Sequence, residues 1–82
     1  MDFPQYRKYK NAKSYFKINS AEEFEEYQLQ FGKIVKHKFK ASILPDRNYI
    51  SDMLYNYKAH WENIHQAEFE LFLEENGTNS AV

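Results

Sequence analysis

The sequence contains no cysteine, and it has only two glycines and two prolines among its 82 residues. The missing cysteines exclude a disulfide framework, a thiolate metal site and a cysteine nucleophile. Two glycines, each placed where an element should end, are too few for a glycine-rich phosphate-binding loop. No apolar run approaches the length of a membrane span, and the start MDFPQYRKYK lacks the apolar core of a signal peptide. We therefore expect a cytoplasmic protein that does not enter a membrane.

Aromatic residues and segregated charge are what the chain has in abundance. Seven Tyr, seven Phe and one Trp make up 18% of the residues, more rings than the interior of so small a domain easily hides. The net charge is −1, yet ten of the eleven basic residues fall in 7–17 and 33–47, and ten of the twelve acidic residues fall in 22–26, 52 and 62–75. Charge is therefore sorted along the chain.

The first predicted element is a β-hairpin, in which 6–10 and 13–18 are strands joined by a tight turn at Asn11-Ala12. One face of this hairpin carries the cross-strand pairs Lys10 with Lys13, Lys8 with Tyr15, and Tyr6 with Lys17. The other face is mostly apolar, and Arg7 is its exception, with a stem that can lie on Phe16.

A helix is predicted over 21–31. Ser20 and Glu23 have the spacing of a capping box, and the glutamates near the start suit the positive end of a helix dipole. Phe24, Tyr27 and Phe31 recur at helical spacing, and Gly32 supplies the stop.

The next stretch alternates strictly and predicts a strand over 35–43. Its apolar side carries Val35, His37, Phe39, Ala41 and Ile43, and its polar side carries Lys36, Lys38, Lys40 and Ser42. Pro45 ends the strand, and a helix is predicted from Asp46 through Ile64, followed by a shorter helix over 66–75.

These elements predict a single α+β domain over 1–75 and a disordered tail over 76–82. The element order β-β-α-β-α-α predicts a three-stranded antiparallel sheet of spatial order 2-1-3, with all helices packed on one face. The opposite face is then open to solvent.

No residues have the spacing of a catalytic or metal-binding site. His60 and His65 are five residues apart, which separates them by about 140° on a helix. His37 alternates with apolar residues, so we expect a hydrogen-bonded histidine that faces the helices. The predictions are therefore no enzymatic activity, no catalytic residues, no metal ion and no cofactor.

The open face of the predicted sheet is the candidate binding surface. We name this set the basic sheet face: Tyr6, Lys8, Lys10, Lys13, Tyr15, Lys17, Lys36, Lys38 and Lys40. Our first hypothesis is a non-catalytic interaction module that binds another protein or forms a homodimer, since a basic face attracts acidic partners and tyrosines favour interfaces. The alternative is single-stranded nucleic acid, with lysines along the phosphates and rings stacked on bases. Ordinary solvation of a polar sheet face also accounts for the pattern.

Overall fold

The computed structural model describes residues 2–77, which form an antiparallel sheet and two helices. The strands are β1 (Gln5–Tyr9), β2 (Ser14–Ser20), β3 (Glu23–Gln30), β4 (Lys33–Lys40) and β5 (Trp61–Ile64). The helices are α1 (Leu44–Tyr55) and α2 (Gln66–Gly77), and a 3₁₀ turn covers Tyr57–Ala59. The predicted α+β class and the antiparallel sheet are confirmed. The predicted number of strands is wrong, because the sheet has five strands and not three.

The first four strands form a meander, and the fifth returns to the free side of β1. The order across the sheet is β4-β3-β2-β1-β5, with every neighbouring pair antiparallel. The predicted order, in which the strand over 35–43 lies beside the first strand, is therefore wrong. The predicted hairpin register is confirmed for two pairs, since Tyr6 lies opposite Lys17 and Lys8 opposite Tyr15.

The predicted helix over 21–31 is wrong, because this stretch is β3 and its flanking turns. Ser20 Oγ accepts a hydrogen bond from the backbone N–H of Glu22, which is a turn contact and not a helix cap. At the other end, Phe31 and Gly32 have positive φ angles of 52° and 77°. Two successive positive φ values match the type I′ turn of a two-residue hairpin loop.

The predicted long helix from Asp46 through Ile64 is shorter than expected. It ends at Tyr55, and the residues after the 3₁₀ turn form β5, which pairs with β1. Trp61 and Ile64 therefore lie in a strand, and they point to opposite faces: Trp61 lies opposite Tyr9, and Ile64 lies opposite Tyr6.

The two helices cover opposite faces of the sheet, so the prediction that they share one face is wrong. The α1 face is the side on which α1 packs, and its core contains Phe16, Ile18, Phe24, Ile50, Met53, Leu54 and Trp61. The α2 face is the side on which α2 packs, and its core contains Tyr6, Tyr15, Ile34, Ile64, Phe69 and Phe72. Each face is thus closed over its centre by one helix.

The predicted final helix over 66–75 corresponds to α2, which continues to Gly77. Asn76 belongs to the last turn and donates a hydrogen bond from Nδ2 to the carbonyl oxygen of Phe72 at 3.0 Å. The rest of the predicted tail, 78–82, lies outside the described residues. Neither helix of the described chain has the length and apolar character needed to cross a membrane.

Candidate functional site

The seven strand residues of the basic sheet face do share one side of the sheet, namely the α2 face. The cross-strand register forms one row from Tyr6 through Lys17 and Glu25 to Lys38. A second row runs from Lys8 through Tyr15 and Tyr27 to Lys36. Lys40 lies opposite Glu23 on the same side. The odd-and-even split of side chains therefore places these residues as expected, although α2 shares the face with them.

Helix α2 covers both tyrosines of the set. Tyr6 and Tyr15 are each only 8% exposed. The ring of Tyr6 lies 4.9 Å from that of Phe69, and the ring of Tyr15 stacks on Phe72 with centroids 3.7 Å apart. Neither ring is open to a ligand.

The basic residues nearest the β1–β2 hairpin have different surroundings. Lys8 donates to Oε2 of Glu68 on α2 at 2.7 Å. Lys10 and Lys13 lie in the exposed connection between β1 and β2, at one end of the sheet. Lys17 is half-buried, and its cross-strand neighbour is Glu25. The structure therefore does not bring all seven lysines together as one continuous cationic surface.

Acidic residues lie within the α2 face, and the sequence interpretation missed them. Glu25 sits between Lys17 and Lys38, and its Oε1 lies 3.6 Å from Nζ of Lys36. Burial raises the pKa of Glu25, but hydrogen bonds from Tyr27 and Asn19, together with the charges of Lys36 and Lys17, outweigh this and hold that pKa below its usual range. Glu25 is thus a charged member of the sheet surface.

The remaining three lysines form a separate group on β4, which is an outer strand of the sheet. The group comprises Lys36, Lys38 and Lys40, all exposed and all on the α2 face. We name it the edge lysines.

At the edge lysines, no strand within residues 2–77 lies along the outer side of β4. The loop Phe31-Gly32 makes Gln30 and Lys33 a hydrogen-bonded pair, and such pairs recur at every second residue. The bond from the N–H of Ala41 to the carbonyl of Glu22 fits the same series. The N–H and C=O groups of the edge lysines therefore point away from β3.

A groove of about 270 Å³ lies between β4 and α1, on the opposite face from Lys36 and Lys38, and Lys40 contributes to its rim. It is lined by Phe24, Glu26, Phe39, Lys40, Ala41, Asp46, Tyr49 and Ile50. Its aromatic rings are packed together, with the centroids of Phe24 and Phe39 4.8 Å apart and those of Phe24 and Tyr49 5.7 Å apart. We name it the β4–α1 groove.

A more open concavity of about 520 Å³ lies on another side of Tyr49, lined by Tyr9, Lys10, Asn11, Ala59, His60 and Trp61. The hydroxyl groups of Tyr9 and Tyr49 are 2.8 Å apart and share a hydrogen bond. Burial, followed by this hydrogen bond, raises the pKa of Tyr49. Trp61 Nε1 has no hydrogen-bond partner in residues 2–77, but it is buried and so is not presented to a ligand here.

The histidines do not converge on a site. His37 is exposed on β4, so the prediction that this histidine is buried against the helices is wrong. It shares the α1 face with Phe16, but β4 lies at the sheet edge, beyond the core under α1. No group of three or more His, Asp or Glu side chains within residues 2–77 is placed to hold a metal ion.

Comparisons with protein-family models, with curated proteins and with solved structures find no match to this chain.

Proposed function

We propose that this chain is a non-catalytic interaction module that binds an acidic, extended segment of another protein along the outer side of β4. The observation that carries the proposal is β4 itself: an eight-residue outer strand with the edge lysines on one face. An extended peptide can add to an open strand through main-chain hydrogen bonds, while its side chains supply specificity.

The charge of the expected partner follows from the strand that already pairs with β4. On the inner side, Glu23 lies opposite Lys40, and Glu25 lies opposite Lys38. On the outer side, no strand of the described chain offers carboxylates to these lysines. A partner with acids at alternate positions would place them there, and opposite charges facing each other across strands are favourable.

A different protein fits this edge better than a second copy of the same chain. Directly opposed residues of antiparallel strands lie on the same face, so a two-fold pairing of β4 with itself sets lysines beside lysines. Like charges in that arrangement are destabilising, and lysine on an outer strand is a known protection against edge-to-edge association.

Single-stranded nucleic acid fits the α2 face less well. Stacking needs exposed rings, whereas Tyr6 and Tyr15 lie under α2. The carboxylate of Glu25 also interrupts the row between Lys17 and Lys38. We therefore treat nucleic-acid binding as an outcome of the test below.

The test uses a labelled peptide, EEFEEYQ, which repeats the sequence of residues 22–28 and so presents the acids that β3 presents to β4. Fluorescence anisotropy compares it with QQFQQYQ and with a ten-nucleotide oligothymidine. Two triple variants carry the same change of charge: Lys36/Lys38/Lys40→Glu at the edge and, as the matched control, Lys10/Lys13/Lys58→Glu at exposed lysines elsewhere.

We expect the acidic peptide to bind, with affinity at least about tenfold higher than that of the glutamine peptide. The edge variant should lose at least about tenfold and the control variant less than about threefold. Equal losses in the two variants, no binding up to about 1 mM peptide, or a preference for oligothymidine would each overturn the proposal.

A further inference from the structure

We infer that the β4–α1 groove receives an aromatic side chain of the segment that pairs with β4, so that the partner carries a ring flanked by acids. This inference rests on the proposed function and adds a second determinant to it. The groove is on the α1 face, whereas Lys36 and Lys38 are on the α2 face and Lys40 lies where the two meet, so one added strand can contact both.

Alternation along a strand assigns the two faces to successive partner residues. A partner residue opposite Phe39 lies on the groove side, while its two chain neighbours lie opposite Lys38 and Lys40 on the lysine side. The partner pattern is therefore acid, ring, acid. The chain contains this arrangement once already, because Glu23, Phe24 and Glu25 of β3 lie opposite Lys40, Phe39 and Lys38.

Phe39 is much more exposed than the residue that faces it on β3. Phe24 and Phe39 are cross-strand partners with stacked rings, yet Phe24 is 5% exposed and Phe39 is 43% exposed. The difference follows from position, since within residues 2–77 Phe24 has a strand on both sides and Phe39 has a strand on one side. A ring beside Phe39 would cover it as β4 covers Phe24.

Further apolar surface lies at the same end of β4. Ile43 and Leu44 follow the strand directly and are 59% and 69% exposed. Single exposed apolar residues are ordinary, but three exposed apolar residues within six positions make this end of β4 rich in apolar surface that an aromatic residue can contact. We therefore expect the apolar part of the partner to lie near Phe39, at the end of β4 that adjoins the groove.

The carboxylates that line the groove do not require a cationic side chain from the partner. Glu26 accepts a hydrogen bond from Ser14 Oγ at 2.8 Å. Asp46 accepts from the backbone N–H and the hydroxyl of Ser42 at 3.3 and 3.5 Å. Both groups already have partners inside the chain, and the apolar side chains of the lining remain for the ligand.

The test compares EEFEEYQ with EEAEEYQ, in which alanine replaces the ring and every charge is kept. We expect the ring to raise affinity for the wild-type protein by about tenfold or more, as burial of a large apolar side chain allows. With Phe39→Ala this advantage should fall below about threefold. Phe31→Ala, which removes a fully exposed ring at the other end of β4, is the matched control and should keep the advantage.

A second measurement uses the wild-type protein alone and so does not depend on a folded variant. In methyl NMR spectra, the signals of Ala41 and Ile50, which line the groove, should shift with EEFEEYQ and much less with EEAEEYQ. Equal affinity for the two peptides, with the preference over QQFQQYQ retained, would overturn this inference and leave the proposed function in place. If neither peptide binds, both are wrong.

Discussion

The ammonium group of Lys8 on β1 lies 2.7 Å from Oε2 of Glu68 on α2, and this contact joins the sheet to the helix that covers it. The side chain of Lys8 is 21% exposed and that of Glu68 is 44% exposed, so the pair sits at the rim of the helix–sheet interface. Sequence alternation placed Lys8 on an open basic face. Its actual partner is a glutamate of α2, which explains why positive charge does not extend across the α2 face.

The first prediction concerns this ion pair and its dependence on pH. The hydrogen bond to Glu68 raises the pKa of Lys8. A lysine whose pKa is raised by folding contributes stability that is complete at neutral pH and is lost as the pH rises beyond its ordinary value of about 10.4. Glu68→Gln should therefore lower the free energy of unfolding by about 0.5 kcal/mol at pH 7, as is usual for an exposed pair.

Urea titrations at pH 7 and in the alkaline range above the lysine pKa measure this effect as the difference between wild type and variant. The difference should shrink in the alkaline series. Glu74→Gln removes an exposed carboxylate from the same helix and is the matched control, expected to change stability little at either pH. A constant difference at both pH values would show that charge is not the cause.

The second prediction tests whether α2 is fixed on the sheet by its aromatic contacts. The rings of Phe72 and Tyr15 stack with centroids 3.7 Å apart, and Phe72 is 7% exposed. Phe72→Ala should lower the free energy of unfolding by about 3 kcal/mol, because it leaves a cavity in this core. Leu71→Ala, at a neighbouring position that is 52% exposed, should change it by less than about 0.5 kcal/mol. Similar losses in the two variants would contradict the placement of α2.

The parts of the fold that could be predicted are those in which local pattern and tertiary environment agree. β4 alternates cleanly because its outer position leaves the edge lysines in solvent. The β1–β2 register followed from its short connection, and α2 has its apolar residues on one stripe. These elements carry the basic residues of the candidate site, so the shared face of the lysines could be derived from the sequence.

The error at β3 has a physical cause in the covering of both faces. Phe24 contributes to the core under α1, while Tyr27 packs with its ring 5.1 Å from that of Phe69 on the other face. Apolar residues on both sides remove the period-two alternation that marks a half-buried strand. What remains is spacing at three and four residues, which resembles a helix.

The end of α1 could not be predicted from the spacing of its apolar residues, for a related reason. Trp61 and Leu54 fall at helical spacing and do share the core of the α1 face, but Trp61 reaches it from β5. Partners that meet in space need not lie on one element, and spacing alone does not separate the two cases. Because 21–31 was predicted as a helix, the carboxylate of Glu25 was not placed on the sheet. The β4–α1 groove is formed by tertiary packing, which the spacing of residues along the chain does not reveal.

The third prediction concerns the turn between β3 and β4. Phe31 adopts a φ of 52° with its side chain fully exposed, a backbone conformation that asparagine tolerates better. Phe31→Asn should therefore raise the free energy of unfolding by about 0.5 kcal/mol. Gly32→Ala should lower it by about 1 kcal/mol through backbone strain alone, since no atom lies within 4 Å of the added Cβ. Thermal unfolding measures both, and destabilisation by Phe31→Asn would contradict the type I′ turn.

The fourth prediction concerns Arg7, which is 2% exposed and forms no ion pair with a carboxylate of the described residues. Its guanidinium donates to the carbonyl oxygens of Met53 at 2.8 Å and Tyr6 at 2.7 Å, and to Asn63 Oδ1 at 2.9 Å. Burial lowers the pKa of this group. Its contacts fix the end of α1 to β1 and β5.

Arg7→Lys should lower the free energy of unfolding by about 2 kcal/mol, because one ammonium cannot reproduce the planar set of donors and is more strongly hydrated. Arg47 is exposed, and its Nη2 lies 4.0 Å from Oε1 of Glu22. Arg47→Lys is the matched control and should lower the free energy of unfolding by less than about 0.5 kcal/mol. Urea unfolding of the two variants gives the comparison. Equal costs would mean that the charge of Arg7, and not its geometry, is what the fold requires.

The fifth prediction concerns the role of the edge lysines in keeping the chain from pairing with itself. If repulsion among them is what opposes β4–β4 pairing, Lys36/Lys38/Lys40→Thr should increase self-association, because threonine favours strands and carries no charge. Light scattering over about 10–500 μM protein should then show dimers or larger species for this variant, whereas we expect the wild type to be monomeric over the same range. Lys10/Lys13/Lys58→Thr removes the same charge from exposed positions outside β4, so it separates edge repulsion from net charge. If the wild type is a dimer and the edge variant does not associate more strongly, the self-association surface lies outside β4. The argument for a separate acidic partner would then be lost.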